Sequence, residues 1–239
     1  MKKFLRLLYL SSFIFYLLIG CTSNVLTHQE FDAVKADITS IAVMPPDIEY
    51  FERNPVVTRP NPEYITIISK NVVRAIRTGF KGGTIEVHTL SSSRMDLTKD
   101  LATALRKVMQ SYRQACEIIH NTGASEVGVV LDSEVKQLSD IVETNYLLFV
   151  RGKGYGKLSG EDRSDVVHSG MLGTASQWDG LMLDVALVDA NTGDILWFNY
   201  NKEYQSQYQP LVLKSVQELC NLLLNDLIKL GAPEEDKTK

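Results

Sequence analysis

The stretch LMLDVALVDANTGDILWFNYNKEY, residues 181–204, constrains the fold of this chain more than any other segment. Two apolar runs flank residues 190–193, ANTG, and asparagine and glycine tolerate the positive φ that tight hairpins require. On the returning strand, Ile195 and Trp197 are predicted to share one face. The first run alternates along the chain, and one of its faces comprises Leu181, Leu183, Val185 and Leu187. The stretch therefore predicts an antiparallel hairpin with one face on the core.

Apolar residues that recur every three or four positions predict three long helices. The first begins at Asn61-Pro62, because asparagine caps helices and proline suits the first helical position, and it ends in a left-handed turn at Gly79. The second runs from about Leu97 to residues 121–123. The third starts near Pro210, and its inward stripe comprises Val212, Val216, Leu219, Cys220, Leu223 and Leu227.

Shorter apolar runs predict strands at residues 41–44, 85–90 and 146–150. Prolines at positions 45, 46, 55, 60 and 62 predict irregular structure between the first strand and the first helix. Residues 127–131 fit either a short strand or a loop, and a further helix capped by Asp132 or Ser133 is expected after them. Residues 159–179 mix charges, glycines and small residues, which predicts a loop.

The order of these elements predicts the fold class. Strands and helices alternate along the chain until the hairpin, which a last helix follows. We expect an α/β fold in which helices pack on a mixed sheet, with a C-terminal antiparallel hairpin and a final helix. The predicted domain spans residues 38–231 and is followed by a charged tail at 232–239.

The amino terminus has the pattern of a secreted lipoprotein. Three basic residues precede residues 7–20, which run 14 positions without a charge. This run is shorter than the roughly 20 apolar residues that span a bilayer and fits the roughly 7–15 residues of a signal peptide. It ends in LIGC, residues 18–21, which resembles a bacterial lipobox. The resemblance implies cleavage after Gly20 and a diacylglycerol group on the thiol of Cys21.

Residues 21–37 are predicted to form the lipidated cysteine and a polar tether. Two or more acyl chains make a stable membrane anchor, because each buried methylene contributes about 0.8 kcal/mol. Thr22 and Ser23 follow Cys21, so the aspartate that retains lipoproteins at the inner membrane of Gram-negative bacteria is missing. In such a host we expect attachment to the outer membrane, with the domain in the periplasm.

Charge and cysteine content narrow the class of protein further. Loss of residues 1–20 removes three positive charges and changes the net charge from −4 to −7, which argues against a nucleic-acid partner. Cys116 and Cys220 lie in helical patterns beside apolar residues. The two cysteines could remain as buried thiols or, in an oxidising compartment, could form a disulfide, and we favour the buried thiols.

No catalytic or metal-binding pattern stands out. Gly152, Gly154 and Gly156 lack the spacing of a dinucleotide loop, and no helix pattern follows them, so we expect a glycine-rich strand end that leads into a flexible loop. Asp189 and Asn191 are predicted to form the hairpin turn rather than a calcium loop. No two of the four histidines have zinc-ligand spacing: His28, His88, His120 and His168.

Aromatic residues follow the hairpin at regular intervals, interleaved with asparagine and glutamine. They are Trp197, Tyr200, Tyr204 and Tyr208. Exposed aromatic side chains in such an arrangement form binding rims in other proteins. These four residues either form an interaction surface or cover the outer edge of the hairpin.

Four features together resemble a group of bacterial envelope lipoproteins: the lipobox, the strand IAVMPP at 41–46, the Gly-Ala segment after a long helix, and VDANTGDILW at 188–197. The group includes relatives of the curli-export lipoprotein, the penicillin-binding-protein activator LpoB and the amino-terminal domain of TolB. In that group the first strand often ends in proline, and the penultimate unit often reads Val-Asp-x-x-Thr-Gly-x-x-x-Trp. The resemblance implies an α/β domain in the cell envelope.

From these features we expect a non-catalytic lipoprotein that acts as a protein-interaction or envelope-assembly module, without cofactor or metal. Its expected partners are the membrane, through the lipid, and another envelope protein, and a homo-oligomer is compatible with the sequence. Two alternatives remain open at this point. One is a subunit of an oligomeric export complex, and the other is a hydrolase whose site is built around residues 151–179 with His168.

Overall fold

The structure is a computed structural model that describes residues 25–53, 58–90, 99–122, 127–157, 180–201 and 208–232. Within these ranges the chain forms eight strands and five α-helices. The strands are β1 (Leu26–Thr27), β2 (Ser40–Val43), β3 (Asp47–Arg53), β4 (Thr58–Pro60), β5 (Glu86–Thr89), β6 (Tyr146–Lys157), β7 (Gly180–Asp189) and β8 (Ile195–Tyr200). The helices are α1 (Phe31–Val34), α2 (Pro62–Gly79), α3 (Lys99–Thr122), α4 (Val135–Val142) and α5 (Leu213–Leu230), and a 3₁₀ turn (Lys35–Asp37) follows α1.

All eight strands belong to one mixed sheet. Six of them follow the order β1-β8-β7-β6-β2-β5, while β3 joins β6 beyond the end of β2 and β4 pairs with β3. Strand β6 is parallel to β2 and β3 and antiparallel to β7. The predicted fold class, helices on a mixed sheet with a C-terminal hairpin and a final helix, is confirmed.

The sheet carries a separate apolar core on each face. Helices α2 and α5 cover one face, where Ile68 and Leu219 pack with Leu148 and Val185 of the sheet. Helices α3 and α4 cover the other face, where the buried residues include Val108, Leu138, Leu147, Phe149 and Phe198. Burial of each such side chain contributes roughly 1.5–3 kcal/mol, so both helix pairs are needed to shield the central strands.

Helix α2 begins as the sequence predicts. The side-chain oxygen of Asn61 accepts a hydrogen bond of 3.0 Å from the backbone N–H of Tyr64, and proline occupies the first helical position. The prediction of a left-handed turn at Gly79 is wrong, because the positive φ occurs at Gly82. Gly79 instead allows close approach of α5, since a Cβ there would lie 3.0 Å from Cδ1 of Ile228.

The segment before α4 is a loop with a single β-bridge. Val130 pairs with Asp194 in an isolated antiparallel bridge, which resolves the choice between strand and loop at residues 127–131. The predicted cap is wrong, because neither Asp132 nor Ser133 caps α4 with its side chain, and the N-cap position is Glu134.

A strand forms where the prolines predicted irregular structure. The chain turns at Pro45-Pro46 and continues as β3, which is free of proline and pairs with the same strand, β6, that β2 pairs with. Ile48 and Tyr50 of β3 are buried against α2 and α5. The prediction fails because a partner distant in sequence supplies the hydrogen bonds of β3.

The glycine-rich segment is also strand rather than loop. Gly152, Gly154 and Gly156 lie within β6, opposite Ile48, Tyr50 and Glu52 of β3. A Cβ at Gly152 would lie 2.6 Å from Cδ1 of Ile48 and 2.8 Å from Cδ2 of Leu183. The missing side chains thus make room for bulky residues of both neighbouring strands, which the glycine pattern alone does not reveal.

The hairpin is confirmed, and Leu181, Leu183, Val185 and Leu187 of β7 share one face as predicted, but the predicted shared face of Ile195 and Trp197 on β8 is wrong. A register shift between Leu187 and Val188 leaves Leu196 without a partner, so Ile195 and Trp197 point to opposite faces of the sheet. Both faces of β7 are covered, because helices lie on each side. The extra residue is a β-bulge, which reverses the alternation of side chains.

The predicted tether is wrong for residues 25–37, which fold onto the sheet. Strand β1 pairs antiparallel with β8, and the backbone N–H of His28 donates a hydrogen bond of 2.8 Å to the carbonyl oxygen of Leu196. Phe31 of α1 is buried in the core under α5, and Val25 packs beside it. These two apolar side chains anchor a segment that is otherwise polar.

Prediction one concerns the glycines of β6. We expect Gly156→Ala to lower the free energy of unfolding by about 1–3 kcal/mol, because the new methyl group overlaps the buried hydroxyl of Tyr50. Urea denaturation of the variant and the parent measures this difference.

Gly128→Ala is the matched control, since no atom lies within 4 Å of its added Cβ, and we expect a change within about 0.5 kcal/mol. In a Tyr50→Phe background the effect of Gly156→Ala should shrink. Equal effects in both backgrounds would show that Tyr50 is not the residue in conflict.

Candidate functional site

The structure places Trp197 and Tyr208 in the core, not on one exposed surface with Tyr200. Trp197 is fully buried under α5, and Tyr208 is 8% exposed, so the prediction of an exposed rim is wrong for both. Tyr200 is half-buried at the end of β8, and Tyr204 lies outside the described residues. The bulge in β8 explains the error at Trp197, because it turns this side chain into the core.

Tyr200 is part of a small polar cluster beneath α3. The ring of His120 meets the ring of Tyr200 edge to face, with 4.5 Å between centroids and an interplanar angle of 88°. Nε2 of His120 lies 2.9 Å from a carboxylate oxygen of Asp184. The hydroxyl of Tyr112 donates a hydrogen bond of 3.0 Å to the backbone carbonyl of Asp184. The cluster thus ties the carboxyl-terminal half of α3 to β7 and β8.

This cluster is one end of a polar row that crosses the sheet. The row consists of direct cross-strand neighbours on β3, β6, β7 and β8, namely Asp47, Arg151, Asp184 and Tyr200. Helix α3 meets it with Arg113, Glu117 and His120, which share one helical face.

Asp47 and Arg151 of the row each have a partner of opposite charge on α3, and Asp184 is paired there with the imidazole of His120. Both Nε and a terminal nitrogen of Arg113 bind the carboxylate of Asp47, and this hydrogen bonding raises the pKa of the guanidinium. Arg151 lies 3.6 Å from Glu117. The side chains of Asp47 and Asp184 are 13% exposed, which favours a structural clamp between helix and sheet.

The His120–Asp184 pair has the geometry of the orienting half of a catalytic triad, but the described residues place no nucleophile beside it. Hydrogen bonds in these ranges link His120 to Asp184 and to no serine or cysteine. Cys116 is close in sequence but buried, and burial raises the pKa of its thiol well above the usual value. A thiol held in its neutral form is a poor nucleophile.

Cys116 and Cys220 are free, buried thiols, as the favoured interpretation predicts. Cys116 belongs to the core under α3, and Cys220 belongs to the core under α5, so the sheet separates them. Burial raises the pKa of the Cys220 thiol to about 12. Both side chains therefore act as small apolar residues in the packing.

The hairpin turn is built by Asx hydrogen bonds. A carboxylate oxygen of Asp189 accepts a hydrogen bond of 2.8 Å from the backbone N–H of Asn191, and Gly193 adopts a φ of +82°. Among the described residues, no group of three or more His, Cys, Asp or Glu side chains is arranged to hold a metal ion. His168 lies outside the described ranges.

A second, partly exposed cluster lies on β3 and β6 where both strands continue past the end of β2. The rings of Phe51 and Tyr155 stack with centroids 5.6 Å apart, and Nζ of Lys153 lies 5.9 Å and 5.7 Å from the two centroids. Sequence reasoning missed this cluster, because it treated both segments as loops. The two rings meet because Phe51 pairs with Tyr155 in the register of β3 with β6, and that register could not be read from the sequence.

The case for lipidation of Cys21 rests on the sequence alone. Cys21 lies outside the described residues, and three residues separate it from Val25, the first described residue. None of the helices in the described ranges combines the length and the apolar character needed to span a bilayer.

No protein-family model matches the sequence, and no curated protein does. The fold is similar to solved structures. One is the PelC dodecamer from Paraburkholderia phytofirmans, 10% identical, covering 82% of this chain and 89% of that chain with a TM-score of 0.37. Another is lipoprotein GNA1162 from Neisseria meningitidis, 14% identical, covering 79% and 96% with a TM-score of 0.35.

A third is the C-terminal domain of LpoB from Salmonella enterica, 14% identical, covering 73% of this chain and 91% of that chain with a TM-score of 0.31. One of these neighbours is thus a lipoprotein, and LpoB is among the proteins that the sequence motifs resemble. At such identities and TM-scores, function has to be argued from the residues of this chain.

Prediction two tests the buried position of Trp197. Its indole N–H is buried and has no acceptor among the described residues, so Trp197→Phe removes an unsatisfied donor along with some volume. We expect Trp197→Phe to cost less than about 1.5 kcal/mol in the free energy of unfolding, against about 3–5 kcal/mol for Trp197→Ala.

Phe198→Leu is the comparison on the opposite face, where no polar atom is lost. Chemical denaturation of all three variants gives the ranking. A Trp197→Phe variant as unstable as Trp197→Ala would show that the indole N–H is hydrogen-bonded after all.

Proposed function

We propose that this chain is a non-catalytic lipoprotein, anchored by acyl chains on Cys21, whose folded body binds another protein of the cell envelope. We further propose the outer membrane as the site of the anchor and the periplasm as the location of the body. The proposal rests chiefly on one observation, the docking of residues 25–37 on the sheet immediately after the lipobox.

This docking sets the distance between anchor and body. Four peptide units connect Cys21 to Val25, and a fully extended chain spans at most about 3.6 Å per residue, so these two Cα atoms lie within about 14 Å. A lipid on Cys21 would therefore hold the body close to the bilayer surface. Such a body meets partners at or near that membrane.

The side chains support a binding role. The one histidine–carboxylate pair under α3 is used to clamp helix to sheet, and both described thiols are buried in their neutral form. The half-exposed rings of Phe51 and Tyr155 stack where β3 and β6 continue past β2, and protein interfaces are enriched in aromatic residues.

Two other functions can be separated from this one by measurement. A subunit of an oligomeric export complex would form a stable ring of many copies, which size measurement of the detergent-solubilised protein detects. A hydrolase would lose activity on His168→Ala. For the interaction module we expect neither result, and we expect photo-crosslinking in intact envelopes to capture a distinct protein.

Prediction three concerns the anchor. We expect mass spectrometry of the purified mature protein to show an amino terminus at Cys21 with added diacylglycerol and acyl groups, and Cys21→Ala to move the protein out of the membrane fraction. The physical reason is that the buried methylenes of the acyl chains supply the free energy that holds the protein at the bilayer.

Cys220→Ala serves as the control, because this thiol is buried in the core and carries no lipid in the proposal. It should leave the membrane fraction unchanged. An unmodified thiol at position 21 on a chain that keeps residues 1–20 would refute the anchor.

A further inference from the structure

A groove runs between helix α2 and the sheet edge formed by β5, on the side of α2 that α5 leaves uncovered. Its volume is about 840 Å³. The apolar part of its lining comprises Pro45, Pro46, Ile65, Val73 and Leu90. We call this feature the α2–β5 groove.

Four basic residues of α2 and its carboxyl-terminal turn line the rim of this groove: Lys70, Arg74, Arg77 and Lys81. Their spacing of four, three and four residues places them in one stripe along the helix. All four are exposed, and none has a carboxylate within ion-pair distance among the described residues.

Exposed charges are ordinary on a helix, but a stripe of one sign is not. The mature chain has a net charge of −7, obtained by removing the three positive charges of residues 1–20 from a total of −4. The stripe therefore concentrates positive charge in an otherwise acidic protein. Such a local reversal favours an anionic ligand at this position.

Strand β5 borders the same groove at its carboxyl-terminal end, through Thr89. Among the described strands it is the last one on this side of the sheet, and the N–H groups of Glu86 and Leu90 point inward, donating to the carbonyl oxygens of Thr39 and Val43 at 2.9 and 3.1 Å. Because successive backbone groups of a strand alternate in direction, those of Val87 and Thr89 point outward. An open edge of this kind can accept an added strand.

The spacings of helix and strand match. From Lys70 to Arg77 the helix rises about 10.5 Å, at 1.5 Å per residue, with neighbouring cations about 4.5–6 Å apart along the axis, and Lys81 follows in the turn after the helix ends at Gly79. Side chains on one face of a strand recur about every 6.7 Å. Three carboxylates at alternate positions of a five-residue strand therefore span about 13 Å and face the whole stripe.

We propose that the α2–β5 groove binds an extended acidic segment of a partner protein, added as a strand beside β5 with alternate carboxylates on the basic stripe. The proposal rests on the function proposed above, in that the partner is a protein. The open edge and the apolar lining favour a peptide over a phosphate-bearing lipid, since a headgroup uses neither.

Prediction four tests this site with the mature lipoprotein in detergent. The probe is a fluorescein-labelled peptide, Thr-Glu-Val-Glu-Val-Glu-Thr, and fluorescence anisotropy measures binding. We expect saturable binding that weakens at about 0.3 M salt, where exposed charge pairs are screened. The same residues rearranged as Thr-Val-Glu-Glu-Glu-Val-Thr should bind several-fold more weakly, because adjacent side chains face opposite sides.

Two variants separate the parts of the site. Arg74→Glu with Arg77→Glu should weaken binding by at least about tenfold, because attraction becomes repulsion. Thr89→Pro should also weaken it, because proline removes an outward donor while the inward hydrogen bonds to β2 remain. The matched control is Lys99→Glu with Arg106→Glu, which reverses two exposed charges of α3 away from the groove and should change nothing.

Circular dichroism establishes that each variant is folded before binding is measured. Equal binding by the parent and the charge variant overturns the proposal, as does binding that Thr89→Pro leaves intact, since the ligand then needs charge alone. Binding to phosphatidylglycerol vesicles but not to the peptide also overturns it. A bare Cys21 with intact peptide binding refutes the anchor only, whereas an acylated Cys21 without peptide binding refutes the groove only.

Discussion

The rest of the structure depends on strand β6, which is buried on both faces at Leu147–Val150 and hydrogen-bonded on both sides. Its first half pairs with β2, its second half pairs with β3, and β7 runs beside ten of its residues. Phe149 faces α3 while Leu148 and Val150 face α2 and α5, so neither helix layer can be removed without exposing a large apolar side chain. Strand β6 also carries Arg151 of the polar row and Lys153 and Tyr155 of the aromatic cluster.

The regular elements could be predicted from the sequence because their signals are local. Helices α2, α3 and α5 follow from apolar spacing, and the cap at Asn61 follows from residue type. The hairpin follows from its turn residues, which form the predicted Asx hydrogen bonds. What failed depended on distant partners: β3 requires β6, and the segment at 25–37 requires the edge of β8.

The candidate sites were harder to predict, because the exposure of a side chain depends on which face of the sheet its residue points to and on the order of the strands. One bulge in β8 moves Trp197 from a predicted surface to the core. The basic stripe from Lys70 to Lys81 is visible in the sequence at helical spacing, but only the structure shows that it lines a groove with Thr89 of β5, the last of the described strands on this side. Likewise, the polar row under α3 appears only when four strands are placed in register.

The strand order also relates the proposed anchor to the proposed groove. The chain joins the sheet at β1, and the groove lies at β5, the opposite end of a six-strand path. Neighbouring strands are about 4.8 Å apart, so five spacings separate the two edges by about 24 Å. The proposed lipid on Cys21 would keep the β1 edge close to the bilayer and would leave the β5 edge accessible to a partner protein. Anchor and groove therefore do not compete for the same surface, and one body can be held by the membrane while it binds its partner at the far edge.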